Sequence, residues 1–537
     1  MATQPWWSLT LCSFPGPTPS CRRAATSTRC VVARTDGASP LGRSCSVAHS
    51  HWAASSETGL PTVQPGKRVN LTEALAGAPA RDDLVVVDDT RFSSAELEAT
   101  TSSTAAALAE RSVGHGDRVA FQLPVGVEAV ALYRACWRLG AIAAALHPRA
   151  GAAQLVAAIE ALNPVVRVAG PDSPAAELPG VLDVRCLRGG PEVPPGPVAS
   201  SDDALVMFTS GSSGVPKGVI HTHGGLLYKV RQLLEVHGLG SGDAVLMPAP
   251  LAHVSGLLHG VLVPGVAGMR TVLMPNWNPA DALELIETEA ITYMVGPPTF
   301  FLALMDDPAF SPQRTRSLRM LSCGGADVTP AFVERARNEL GAVVKRSYGS
   351  TEAPTVATSR FDDPPEQMSY TDGRSFDETQ IQVDDHGEVW VHGPEVARGY
   401  LEPTQSNGVF VDGWFRTGDL GRLDGKWLTI TGRSNDQIIR AGENISAREV
   451  EMHLEAHQSI KQAVVVGMPD DRLGERVAAF VVTSDHFDLE ACRSWFATRG
   501  LAPFLTPEYL KVVEELPLLA SGKFDRSELQ SRLEPPQ

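Results

Sequence analysis

The stretch Arg319-Met-Leu-Ser-Cys-Gly-Gly-Ala-Asp-Val-Thr-Pro-Ala-Phe-Val-Glu-Arg-Ala-Arg-Asn-Glu-Leu-Gly-Ala-Val-Val-Lys-Arg-Ser-Tyr-Gly349 reads as strand, turn, helix, strand. Arg319–Ser322 is a short apolar run closing on Cys323-Gly324-Gly325. Pro330–Leu340 has helical spacing, with Gly341 just past its end. Val343–Ser347 is a further strand, closing on Tyr348-Gly349. Just upstream, Pro279–Glu289 shows the helical period with Pro279 near its start, and Ile291–Gly296 is an apolar run ending in Gly-Pro-Pro. Strands separated by single helices imply right-handed crossovers and a mostly parallel, doubly wound sheet. Ligands of such sheets lie beyond the carboxyl ends of the strands, so Gly324-Gly325 and Tyr348–Glu352 are expected on one rim.

The same alternation extends outward to about residue 58, with Arg118–Pro124 and Ala141–Leu146 as strands around the amphipathic helix Gly126–Leu139. A change in character comes at Gly432-Arg433-Ser434-Asn435-Asp436. Beyond it a helix starts at Ser446, which with Glu449 forms a capping-box pattern; strands Gln462–Val466 and Val477–Thr483 and the helix Leu489–Thr498 follow. The expected organisation is α/β: a large N-terminal domain of doubly wound, mostly parallel sheets with helices over 58–433, and a small C-terminal α+β domain over 434–537.

The chain has 537 residues, a formal charge of −16 and 43% hydrophobic residues, enough for sizeable cores in more than one domain. The acidic balance argues against nucleic acid or an anionic membrane as partner. That average hides a split. Residues 1–56 hold five arginines, no lysine and one acid, so the segment is about +4 and the remaining 481 residues carry −20. With four of the eight cysteines and many Ser, Thr and Pro residues, positions 1–57 read as a disordered or targeting segment: an organellar transit peptide or a non-native upstream extension. The expected location is the cytoplasm, or an organelle if the segment is a genuine transit peptide. The longest uncharged run, Ala244–Met269, carries Pro248, Pro250, Pro264, His253 and His259 and is read as buried strands and loops rather than a membrane span.

Chemistry concentrates in Met207-Phe-Thr-Ser-Gly-Ser-Ser-Gly-Val-Pro-Lys-Gly218, which follows the apolar strand Ala204–Phe208. Glycines let the backbone turn tightly and present N–H groups; Thr209, Ser210, Ser212 and Ser213 add hydroxyls, and Lys217 adds a point charge, a combination suited to a polyphosphate. It is not a Walker loop, because Pro216 stands where the second glycine should be and no Ser or Thr follows Lys217. His221 and His223 form an H-x-H pair without a third ligand at a recognisable spacing and are read as structural.

This run resembles the phosphate loop of the adenylate-forming superfamily, which includes acyl-CoA synthetases, aryl-CoA ligases and firefly-type luciferases. Tyr348-Gly-Ser-Thr-Glu352, Gly413-Trp-Phe-Arg-Thr-Gly-Asp419, Gly432–Asn444 and Ser521-Gly-Lys523 match four further signatures in order, and the likeness covers about residues 58–533. The resemblance implies that Thr209, Ser210, Gly211, Ser212, Ser213, Gly214 and Lys217 bind ATP phosphates. It likewise implies that Gly324 and Gly325 pass close to adenine and the acyl group, that Tyr348 stacks on adenine, that Asp419 takes the ribose hydroxyls, and that Arg433 assists. Thr351 is implied to contact phosphate, Glu352 to hold Mg²⁺, His253 to lie near the acyl carboxylate, and Lys523 to bridge that carboxylate and the ATP phosphates. Arg440 and Gly442 fall in the segment implied to meet CoA, and the small domain is implied to turn on a hinge at Asn435. Two departures stand out: Asn435 replaces the usual Asp or Lys, and Ala441-Gly442 replaces a paired glycine.

The resemblance implies an ATP-dependent carboxylic acid–CoA ligase acting through an acyl-adenylate, with ATP, Mg²⁺ and CoA. The apolar stretches Met294–Phe301 and Cys323–Val328 point to a hydrophobic acid, and the motif wording most resembles ligases for medium-chain, alicyclic or aromatic acids. The alternatives are an acyl-AMP ligase that loads a carrier-protein pantetheine, and a non-catalytic nucleotide-binding relative. A homo-oligomer is compatible with either. The non-catalytic reading expects loss of Lys217, Glu352, Asp419 or Lys523, and all four are present.

Overall fold

The computed structural model describes residues 69–190, 192–209, 216–326, 328–434, 437–440, 443–470, 472–499, 501–518 and 524–533. Its largest sheet has nine strands in the order Arg374–Ser375, Ala357–Thr358, Val343–Tyr348, Met320–Gly324, Tyr293–Gly296, Ala244–Met247, Arg270–Leu273, Val85–Val87, Thr90–Phe92. The inner strands from Val343–Tyr348 to Val85–Val87 are parallel, and the edges are closed by antiparallel strands. A seven-stranded sheet runs Gly399–Tyr400, Lys217–Thr222, Asp203–Thr209, Ile142–Ala145, Arg118–Gln122, Val166–Ala169, Val181–Asp183. It is parallel from Asp203–Thr209 outward and antiparallel at its other edge.

Strand alternation sorts side chains into layers. Val245 and Met247 of one sheet and Val119 and Phe121 of the other share a single core with the helices Ser94–Ala109, Val127–Leu139 and His223–His237. The opposite faces, Leu246 and Met294 on one sheet and Ala120 and Ala144 on the other, pack on separate helices. The doubly wound reading therefore holds, and the predicted helices Pro330–Leu340 and Leu489–Thr498 form with those same limits.

Three features go beyond or against the sequence reading. A wholly antiparallel sheet, Gln380–Val383, Glu388–His392, Trp414–Asp424 and Phe410–Val411, with Trp427–Arg433 paired to Trp414–Asp424, carries the region before Arg433. The uncharged run does not remain strand and loop: after the strand Ala244–Met247 it winds into helix from Val254 to Ala267. Its turn Leu258–Leu262 is π-wound, so Pro264 falls in the first turn of a renewed α segment, where its missing N–H is not needed. No helix among the described residues is long and apolar enough to cross a membrane. Finally, Ser446 Oγ accepts the Glu449 N–H at 3.3 Å and itself donates to the Thr431 carbonyl at 2.7 Å, so only the Ser446 half of the expected capping box forms.

The last sheet runs Glu443–Ser446, Gln437–Arg440, Gly474–Thr483, Ile460–Asp470, with Tyr509–Val512 parallel to Gly474–Thr483. Helices Ala447–Glu455 and Leu489–Thr498 cover one face, and Arg526–Ser531 packs on the other.

Candidate functional site

The adjacent parallel strands Met320–Gly324 and Val343–Tyr348 both end at the predicted rim. A Cβ on Gly324 would stand 2.2 Å from the Ser347 carbonyl oxygen, so no other residue lets the strands lie this close. Below the rim, the hydroxyls of Ser322, Ser347 and Thr358 form a chain with 2.9 Å links.

The loop after Tyr348 is pinned from several elements. Thr355 takes a left-handed φ of 45°, and its carbonyl accepts from Lys229 Nζ at 2.9 Å. Lys229 is fully buried on the helix His223–His237, 3.3 Å from the equally buried Glu395; burial pushes the amine down to about 8. His221 Nε2 lies 2.7 Å from the Thr351 carbonyl. Because a carbonyl only accepts, Nε2 carries the proton, and burial pushes this histidine down to about 4, which keeps the ring neutral at physiological pH. The Glu352 carbonyl accepts from Ala397 N–H at 2.7 Å, and Glu352 Oε1 accepts from the Tyr400 hydroxyl at 2.9 Å. Lys217 Nζ sits 5.0 Å from the centre of the same Tyr400 ring.

Across the rim, the Tyr348 hydroxyl donates to Asp419 Oδ2 and Arg433 Nε donates to Asp419 Oδ1, both at 2.7 Å. Burial first, and the Asp419 carboxylate second, hold the Tyr348 phenol well above its ordinary value. The Asp419 backbone is fixed by Glu388, which is 4% exposed: its Oε1 accepts the N–H of Gly418, a residue at φ +73°, at 3.1 Å, and its Oε2 accepts from Arg416.

Of the residues expected from sequence, the structure joins Tyr348, Asp419 and Arg433 into one hydrogen-bonded group, and links Glu352 to Lys217 through Tyr400. Thr209 and Lys217 face each other across the strands on either side of residues 210–215. Gly325 follows Gly324 in the left-handed region at φ +74°. His253 caps the helix beginning at Val254, its Nδ1 2.8 Å from Ser255 Oγ. Arg440, expected near CoA, makes a bidentate pair with Glu508 at 2.9 Å. Ser210, Gly211, Ser212, Ser213 and Gly214 lie outside the described residues, as do Asn435, Gly442 and Lys523. Sequence reasoning passed over Tyr400 and Glu388, and gave His221 no role in the site. The signal available was the placement of Tyr400 and Glu388 just after turn glycines, at Gly399-Tyr400 and Gly387-Glu388.

A paired acid and tyrosine on one side and an acid–tyrosine–lysine set on the other, gathered at the rim beyond Tyr348, define a nucleotide-handling α/β protein. The chain belongs to the AMP-binding enzyme family, which it matches over residues 71–401, and residues 449–523 match the AMP-binding enzyme C-terminal domain. It is 32% identical over 491 residues to a medium-chain fatty-acid–CoA ligase of Escherichia coli K12, covering 83% of this chain and 87% of the relative. It is 33% identical over 486 residues to a 3-[(3aS,4S,7aS)-7a-methyl-1,5-dioxo-octahydro-1H-inden-4-yl]propanoyl:CoA ligase of Mycobacterium tuberculosis H37Rv, covering 83% and 95%. The solved o-succinylbenzoate CoA synthetase of Bacillus subtilis, in complex with the acyl-adenylate intermediate OSB-AMP, superposes with a TM-score of 0.77 at 26% identity, covering 87% of this chain and 99% of that one.

Proposed function

We propose that this chain is an AMP-forming carboxylic acid–CoA ligase. The observation that carries the reading is the two-sided rim: Asp419 held by Tyr348 and Arg433 on one side, and Glu352 and Lys217 gathered on Tyr400 on the other. The first side suits a nucleoside. Asp419 has acceptor capacity beyond its two present bonds and can take ribose hydroxyls, while the Tyr348 ring offers a face for adenine. The second side suits polyphosphate. Glu352 engages Tyr400 through one oxygen only, and a single carboxylate sharing a hard cation with substrate phosphates is the ordinary donor set for Mg²⁺. Bound there, Mg²⁺ would neutralise phosphate charge; Thr351 and Lys217 flank the same phosphates.

In the first half-reaction the substrate carboxylate attacks the α-phosphorus of ATP, forming an acyl-adenylate and releasing pyrophosphate. Anion meets anion, so Lys523 is assigned to the developing charge and His253 to the acyl carboxylate. In the second half-reaction the CoA thiol attacks the acyl carbonyl and AMP leaves; Arg440 and Gly442 are assigned to the CoA side. This division needs a large unit over 58–433 and a small, mobile one over 434–537 turning about Asn435. Matched relatives that activate fatty and alicyclic acids, together with the apolar Met294–Phe301 and Cys323–Val328, support a hydrophobic medium-chain, alicyclic or aromatic acid.

The test is ATP-dependent pyrophosphate release with a panel of carboxylic acids, repeated with CoA and with a carrier protein. Medium-chain, alicyclic or aromatic acids should drive release, and thioester should form with CoA. If no acid in the panel drives release, the reading is rejected, and thioester formed only on the carrier would replace the acceptor.

A further inference from the structure

We propose that Tyr400 is a positioning residue of the phosphate side: its hydroxyl aims the Glu352 carboxylate and its ring seats Lys217. The inference rests on the proposed function above and adds a residue to it.

Tyr400 ends the short edge strand Gly399–Tyr400, which pairs antiparallel with Lys217–Thr222, the strand that begins at Lys217. The residue is 7% exposed and held at every point. Its backbone N–H donates to Ser406 Oγ at 2.9 Å, its ring meets Phe410 edge-on at 5.4 Å, and it packs with Val219 and Ala397. A ring so fixed makes its hydroxyl a fixed donor. The terminal torsion of a glutamate is otherwise broad, and an ionised carboxylate only accepts, so the 2.9 Å bond to Oε1 sets where the other oxygen points. The backbone of the same residue is held by Ala397 N–H, three positions before Tyr400.

The ring has a second occupant. Lys217 Nζ, 5.0 Å from the centroid, lies within cation–π range. One tyrosine thus takes the acid at its hydroxyl and the ammonium at its face, and among the described residues no ion pair joins Lys217 to Glu352. Both charges stay poised for phosphate and cation instead of quenching each other. Outer contacts of this kind commonly change metal affinity by about 10–100-fold when lost.

Isothermal titration of the full chain with AMP, with ATP alone and with ATP plus Mg²⁺ separates the two roles. Tyr400→Phe removes only the hydroxyl. It should weaken ATP binding in the presence of Mg²⁺ by about 10-fold and leave AMP and metal-free ATP as in the parent. Tyr400→Leu should weaken metal-free ATP as well, because the seat of Lys217 is gone. Thermal melting of each variant checks the fold, and Tyr400→Phe, nearly isosteric, carries the test if Tyr400→Leu does not fold. Glu352→Gln is the reference. If it weakens MgATP and Tyr400→Phe does not, the positioning role is wrong; if Tyr400→Phe weakens AMP equally, the hydroxyl serves the fold generally and the inference falls. If Glu352→Gln itself binds MgATP like the parent, the failure lies in the assignment of Glu352 to the metal.

Discussion

His221 shows how a residue earns a role through its surroundings. In sequence it is half of an H-x-H pair with no third ligand; in the fold its Nε2–H reaches the carbonyl of Thr351, 130 positions away. No spacing rule reveals a partner at that distance, whereas the glycines and serines around Lys217 announce themselves locally. Replacing His221 by Gln keeps an amide donor and should retain adenylation, whereas Leu leaves the carbonyl unpaired and should lower it, at a cost of about 1–3 kcal/mol. Pyrophosphate release and thermal melting compare the two. The pH dependence carries a definite sign. Burial pushes His221 down to about 4, below an unfolded value of about 6.5, so between these limits the unfolded chain binds a proton that the folded one refuses. Stability is therefore undiminished above about pH 6.5 and falls as the pH drops toward 4, by an amount of order 3 kcal/mol for this one group. Glu455, pushed up to about 7 by burial, runs the opposite way, but it cancels in a comparison of parent and variant. Denaturant titrations at pH 7 and pH 5 should show His221→Gln losing less stability on acidification than the parent. Equal losses would mean that His221 titrates normally in the fold.

At the scale of elements, the parallel sheets were legible because their strands are continuous apolar runs broken by Gly and Pro, as strands buried on both faces must be. The antiparallel sheet before Arg433 was not: in Gln380–Val383 exposed residues alternate with half-buried ones, and no apolar run marks it. The π-wound helix escaped for a related reason, since its prolines read as breaks until the turn Leu258–Leu262 absorbs one of them. That overlooked sheet nonetheless places Asp419. Glu388, on the strand Glu388–His392, accepts the N–H of Gly418, and Thr417 Oγ1 accepts that of Asp419 at 3.0 Å while donating to Val389 at 2.7 Å. The acid is thus held by the sheet's own hydrogen bonds as well as by Tyr348 and Arg433. Glu388→Ala leaves Arg416 without its partner and frees the Gly418 turn, so AMP binding should weaken by about 10-fold. Glu388→Gln, which still offers an oxygen to Gly418, should lose less. Because the phosphate side is anchored elsewhere, by His221, Lys229 and Ala397, the Mg²⁺ concentration that half-saturates ATP binding should not move in either variant. Calorimetry reads both quantities, and a shift in the Mg²⁺ requirement would show that the two sides of the rim are not independent.

Over the whole molecule the question is how one chain performs two half-reactions with one cleft. The −20 carried by residues 57–537 makes the entry of ATP and CoA a local matter, governed by cations placed where the anions must sit. Lys217 and Arg433 belong to the rim already described, and Lys523 belongs to the segment matched to the C-terminal domain. Lys523 lies outside the described residues, but the residues flanking it are tied together, with Leu518 paired antiparallel to Phe524 and Asp525 N–H donating to the Pro517 carbonyl at 2.8 Å. Beyond it, Arg526 anchors to Glu451 at 2.7 Å, and Glu451 also accepts the Val465 N–H at 2.8 Å. The described residues that flank it are therefore tied to the strand Ile460–Asp470, and under the proposed function Lys523 serves one half-reaction and not the other only if the sheet holding that strand moves too. Arg440 rides on the same sheet, locked to Glu508. Lys523→Ala should accordingly reduce acid-dependent pyrophosphate release by at least 10²–10³-fold, about 2.7–4 kcal/mol of lost charge stabilisation, while leaving thioester formation from a preformed acyl-adenylate and CoA within a few-fold of the parent. The two half-reactions are assayed separately, the second from synthetic acyl-adenylate. Equal loss in both would show that Lys523 supports the fold or serves both steps, and a single fixed arrangement of the two sheets would then suffice for the whole reaction.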